Sequence, residues 1–139
     1  MKIEELRHLF ASLPQQGVLA KLLQDDKVRH ICLNGLVASP PATFFAAFAE
    51  QSPHPILFIL DDADAAGYFY NDLKALGIEA LLFPSSYRRA VKYGQRDAGS
   101  EILRTETMAA LATQDAKAKP LYIVTEPSAL AERVVSKEH

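Results

Sequence analysis

Four times along this chain a short apolar run is followed by a segment with helical spacing. "HICLNGL" precedes "ATFFAAFAE", and "PILFIL" precedes a run in which Ala65, Ala66, Phe69, Leu73 and Leu76 recur on one face. "EALLFP" then precedes "GSEILRTETMAALA", and "PLYIVT" precedes "PSALAERVV". Strand and helix in alternation mean βαβ units, because parallel neighbours need a long crossover and the crossover helices cover the sheet. The expected fold is α/β in three layers: a mostly parallel sheet of at least four strands with helices on both faces. Its strand cores should be residues 30–35, 56–60, 80–83 and 121–125. "PILFIL" is apolar at every position after its proline, the pattern of a strand covered on both faces. "ATFFAAFAE" is apolar on nearly every side and has to be enclosed.

The boundaries carry their own signals. Asp61 or Asp62 can cap the second α/β helix and Gly77 can stop it; Ser100 is a possible cap for the next, and Pro127 opens the last. Upstream, Ile3, Leu6, Leu9, Phe10 and Leu13 fall at helical spacing, with Pro14 ending that segment. A second short helix over 16–24 presents Val18, Leu19, Leu22 and Leu23. Residues 1–29 thus read as a helical lead-in to an α/β region over 30–139.

Composition narrows the class. The chain has 139 residues, 49% of them apolar and 23% charged, enough for one globular core. A net charge of −2 provides no global attraction to nucleic acid or an anionic membrane. Cys32 is the single cysteine, so no internal disulfide forms and a reducing compartment suits the chain. The N-terminal "MKIEELRHLF" mixes charges with apolar residues, unlike a signal peptide, and no apolar run nears the ~20 residues of a membrane span. The expectation is a cytoplasmic soluble domain.

"NGLVASPPATFF" has the outline of a phosphate-binding loop, a glycine after a strand and then a helix start. With Gly35 as the first glycine, Pro40 takes the place of the second, Pro41 that of the lysine and Ala42 that of the metal-binding hydroxyl. Two amide donors, a charge and a magnesium ligand are missing together. At roughly 1.5–3 kcal/mol for each charge-assisted hydrogen bond, the loss amounts to roughly 5–10 kcal/mol of binding. The local reading is a strand-to-helix turn in which Ser39 caps a helix and Pro40 occupies its first position. The same absence disposes of "ILFILDDAD" as a magnesium site, since no phosphate remains to share the metal. A ribose-gripping acid would need G-x-G-x-x-G, and only Gly35 is present. Asp61 and Asp62 therefore read as helix caps.

His30 and Cys32, two apart on the first expected strand, would share a face, but a cysteine in a buried strand behaves as a small apolar residue. No metal-ligand spacing occurs, and no catalytic, cofactor-binding or metal site is expected. One stretch remains chemically suggestive. Between the third strand and its helix, "SSYRRAVKYGQRDAG" lacks periodicity. From 87 to 96 it carries Arg88, Arg89, Lys92 and Arg96, with Tyr87 and Tyr93 and no acid. Basic groups neutralise phosphates and tyrosines stack on bases, which makes these six residues a possible nucleic-acid contact. A solvated basic loop is the plainer alternative.

Taken together, "GLVASPPATFFAAFAEQSPHPILFIL", "DAAGYFYNDLKAL", "LLFPSSY", "EILRTETMAAL" and "LYIVTEPSALAERV" resemble the start of the bacterial transcription-repair coupling factor family, whose opening module is similar to the excision-repair protein UvrB. The likeness runs over about residues 30 to 135 and keeps block order and spacing. It implies a degenerate P-loop NTPase, UvrB-like fold in which Gly35, Ser39, Pro40, Pro41 and Ala42 are a vestigial phosphate loop. It also implies that the chain is a non-catalytic fragment ending just before a UvrA-binding insert. ATP and magnesium would serve only a distant motor domain of the parent, an ATP-dependent DNA translocase. UvrA and RNA polymerase would be met through other parts of that parent. Rival readings are an active P-loop nucleotide-binding domain, a stand-alone nucleic-acid-binding α/β domain using residues 87–96, and an unrelated flavodoxin-like module that strand order would separate.

Overall fold

The computed structural model describes residues 1–36, 40–49, 54–86, 98–114 and 119–134. They belong to two compact units, one of residues 1–53 with 72–78, the other of residues 54–71 with 79–139.

The first unit is helical. Helix α1 spans Ile3–Ala11, α2 spans Pro14–Gln24 and α3 spans Pro40–Ala49. Pro14 does more than end α1: it is the first residue of α2, where its missing N–H costs nothing. Helix α3 is enclosed as its composition requires, with Phe44, Phe45, Ala46, Ala47 and Phe48 all buried. Helix α1 packs on it, and Arg7 donates from Nη2 to the Ala46 carbonyl at 3.4 Å. Gln16, 1% exposed, donates from Nε2 to the Phe44 carbonyl at 2.9 Å.

The expected first strand is not there. Residues 30–35 belong to no ladder, and His30, Cys32, Leu33 and Asn34 are exposed. An apolar run supplies side chains for a strand, but a strand also needs a neighbouring backbone to bond. The run is broken besides by Gly35, whose φ of 87° turns the chain out of the extended region.

The second unit holds the sheet. Strands β1 (Ile56–Ile59), β2 (Leu81–Phe83) and β3 (Tyr122–Thr125) are parallel in the order β1-β3-β2. Three of the four expected strands are thus found among the described residues. Central β3 is buried along its whole length, as a strand covered on both faces must be. Between the strands lie α4 (Ala63–Ala75) and α5 (Ala98–Thr113), and α6 (Pro127–Ala131) follows β3.

The two crossovers fix where the helices go. The link from β1 to β2 passes over β3 in one direction, and the link from β2 to β3 returns in the other. With right-handed crossovers the helices must then lie on opposite faces. The side chains agree. Phe58 stands level with Val124 and Phe83 with Thr125, and adjacent residues of a strand point to opposite faces. Phe58 meets Phe69 of α4 with ring centroids 4.9 Å apart, whereas Phe83 meets Arg104 of α5. On the α5 face Phe83, Ile123 and Ala129 form a core joined by Leu81, Met108 and Leu121.

Two local expectations hold and two change. Gly77, with φ 79°, ends α4: its N–H bonds the Lys74 carbonyl and that of Ile78 bonds Leu73, the paired closure of a glycine stop. Pro127 opens α6. Ser100, by contrast, lies inside α5, which begins at Ala98. The uniformly apolar β1 is an edge strand, with Leu57 50% and Ile59 56% exposed.

Candidate functional site at the carboxyl end of the sheet

After β1 the chain turns to α4 on one face; after β3 it turns to α6, whose Ala129 packs on the other face. In open α/β sheets, ligands settle where neighbouring strands part in this way, outside their carboxyl ends. The acids at that crevice are committed to helix ends. Asp62 accepts from the Ala65 N–H at 2.8 Å, capping α4. Glu126 accepts from the N–H groups of Ser128 and Ala129 at 2.7 and 3.0 Å, capping α6. These bonds satisfy the orphan amides of the first turn. Asp61 is exposed.

A dense polar cluster lies beside it, at the end of β2. Its centre is Glu132, just after α6. The carboxylate accepts from the Ser86 N–H at 2.9 and 3.2 Å and from the hydroxyls of Ser85 and Ser86. Arg104 of α5 stands 3.5 Å away, only 6% exposed. From Nη1 Arg104 donates to the carbonyls of Pro84 and Ala129 at 2.9 and 3.1 Å, and its guanidinium carbon lies 4.1 Å from the centre of the Phe83 ring. A planar cation with several donors suits this geometry, bonding in its plane and stacking on its face.

Burial pushes the Glu132 carboxyl up, but the two serine hydroxyls, the Ser86 N–H and the Arg104 charge outweigh it and hold the group below the ordinary glutamate range. A carboxylate so held, with both oxygens occupied, is a poor proton acceptor near neutral pH. The cluster therefore acts as a clamp. It joins the loop after β2 to α5 and to the residue following α6, three elements distant in sequence.

The residues singled out by sequence are placed as follows. Gly35 is exposed, and nothing lies within 4 Å of where a Cβ would sit. Ser39 lies outside the described residues. Pro40 and Pro41 are the first two residues of α3, and Ala42 is 1% exposed, packed into the interior. Tyr87, Arg88, Arg89, Lys92, Tyr93 and Arg96 all lie outside the described residues, immediately after the clamp. His30 and Cys32 are both exposed, correcting the buried placement expected of them; the Cys32 thiol bonds Asn34 Oδ1 at 3.5 Å. Among the described residues no group of three or more His, Cys, Asp or Glu could hold a metal ion. Nor is any helix among them long and apolar enough to cross a membrane.

The sequence reading missed Arg104 and Glu132. A signal existed: Arg104, Met108 and Leu111 stand four and seven apart on α5, so an arginine occupies the stripe that should be apolar. Beside the clamp an open apolar groove of about 490 Å³ is lined by Leu57, Met108, Leu111, Leu121, Leu130 and Val134, with Glu132 among its few polar groups.

Compared with protein-family models, curated proteins and solved structures, the chain matches none.

Proposed function

We propose that this chain is a non-catalytic scaffold, the first subdomain of the UvrB-like region of a transcription-repair coupling factor. In that role it frames the UvrA-recruiting module during transcription-coupled excision repair in the bacterial cytoplasm. The fold would be a degenerate P-loop type. The observation that carries the reading is the start of α3. Pro40 and Pro41 open α3 and Ala42 is packed into the core; if residues 35–42 descend from a phosphate loop, these positions would have lost its N–H groups, its lysine and its magnesium-binding hydroxyl. Such an arrangement suits a decayed nucleotide module kept for its shape. Strand order sets the sheet apart from a flavodoxin-like one. In the order 2-1-3-4-5, no three successive strands place the last between the other two, yet β3 lies between β1 and β2.

The clamp fits a supporting role, since it stiffens the carboxyl end of the sheet without offering a reactive group. UvrA would be captured by chain lying beyond His139, and RNA polymerase by other parts of the parent. Purified UvrA should not be retained by residues 1–139. A longer protein extended by about 100 residues, the size of a small domain, should retain it. Micromolar or tighter binding by the short chain would end the scaffold reading.

A further inference from the structure

The stretch "NGLVASPP" opens on the chain's single Asn-Gly step, Asn34-Gly35, which a supporting role does not use. An asparagine carboxamide lies one ring closure from the next peptide nitrogen, whose attack on Cγ makes a five-membered cyclic imide. Two things ordinarily prevent it: a backbone held in regular structure, or a following side chain that blocks the approach. Neither protects this step. Residues 30–35 belong to no helix or strand, and Asn34 and Gly35 are both exposed. No hydrogen bond from the Gly35 N–H reaches another described residue. Gly35 has no Cβ, nothing lies within 4 Å of where one would sit, and its φ of 87° is open to glycine without strain. The Asn34 carboxamide accepts at Oδ1 from the Cys32 thiol at 3.5 Å, which draws electron density away from the carbon to be attacked.

We propose that Asn34 is a self-modification site, deamidating in the folded protein. The Gly35 nitrogen gives its proton to hydroxide and forms a bond to Asn34 Cγ. The bond from Cγ to Nδ2 breaks, and the side-chain nitrogen leaves as ammonia after taking a proton from water. Water then opens the imide at one of its two carbonyls, giving isoaspartate or aspartate. No electrons are transferred, and water and hydroxide are the sole co-reactants. Either product adds one negative charge to the net −2, and isoaspartate also lengthens the backbone by a methylene. Asn71 is the contrast within the same chain. It is exposed as well, but it lies inside α4, where peptide N–H groups bond carbonyls four residues back and cannot turn onto the side chain. Exposure is thus common to both asparagines, and the local backbone separates them.

Incubation of the 139-residue protein at 37 °C and pH 7.5 for about two weeks should build up a more acidic species on ion exchange, heavier by about 1 Da. Tandem mass spectrometry should place the change at Asn34, with a rate at least tenfold above that at Asn71. The rate should rise about tenfold per pH unit between pH 6 and 8, because the attacking nitrogen is deprotonated and its anionic fraction grows by that factor. The rate in the folded protein should lie within tenfold of that in guanidinium chloride, since the fold leaves the step open. Asn34→Gln, at an exposed position, should fold normally by circular dichroism and form no acidic species over the same period, because its ring closure is six-membered and slower. An Asn34 that stays intact overturns the proposal. So does modification of Asn71 at an equal rate, a folded rate more than tenfold below the denatured one, or an acidic species that persists in Asn34→Gln.

Discussion

Arg104 is a charged residue in the buried stripe of α5, and its surroundings explain why the position tolerates it. The guanidinium is bonded to two carbonyls, stacked on Phe83 and neutralised by Glu132. Removing Glu132 leaves the Arg104 charge uncompensated in a buried site even though its carbonyl bonds remain, and such a loss costs more than the net value of the pair. Glu132→Ala should therefore destabilise the protein by about 2–4 kcal/mol, from the charge-assisted bonds lost to Ser85, Ser86 and Arg104. Glu132→Gln keeps an acceptor for the Ser86 N–H and should cost less, about 1–2 kcal/mol. The pH dependence has a definite sign. The folded carboxyl titrates below its unfolded value of about 4.3, so its contribution is complete above that pH and declines as pH falls through the folded value. Urea unfolding should show the gap between the native protein and Glu132→Gln at its widest at pH 7 and narrowing in acid. A gap that failed to narrow would mean that the cluster does not hold the carboxylate ionised. This clamp was only faintly legible in sequence. A single arginine breaking an apolar stripe hints at a buried partner, but nothing in local pattern identifies a glutamate 28 positions later.

The regular elements divide according to what a side-chain pattern can report. Strands at 56–59, 81–83 and 122–125 were readable because each apolar run lies between turn residues and each meets a neighbour. The run at 30–35 shows the same partition of side chains without a ladder, and periodicity does not say whether a partner exists. Exposure along β1 was hidden for a related reason: a uniformly apolar strand reads as central, and its place at the edge depends on which strands join later. Helix α3 was readable throughout, from its proline start to its apolar surface. Its first turn yields a prediction. Calorimetry with millimolar ATP and magnesium should show no saturable heat, and a dissociation constant below about 100 μM would sink the scaffold proposal. Joint substitution of Pro40→Gly, Pro41→Lys and Ala42→Thr should not create a site. It should instead destabilise the fold by about 1–3 kcal/mol, because the threonine adds atoms to a filled position.

For the whole molecule, the relevant quantity is how charge is distributed rather than its sum. The chain carries a net charge of −2, yet Arg88, Arg89, Lys92 and Arg96 fall within nine residues that contain no acid. Ser86, two positions before Arg88 in the sequence, is held by the clamp. Four cations can neutralise at most four phosphates, giving a slope of log affinity against log salt of about −3.6 for duplex DNA. Raising salt from 50 to 200 mM should then weaken any contact made by these four residues by about 150-fold. A scaffold should accordingly leave a DNA duplex unshifted at 200 mM salt. Any low-salt mobility shift should disappear when the four basic residues are replaced by alanine. A shift that persists at 200 mM, or one unchanged in the fourfold variant, would place nucleic-acid recognition on another surface. The chain would then be a binding domain in its own right, and a purely supporting role would no longer describe it.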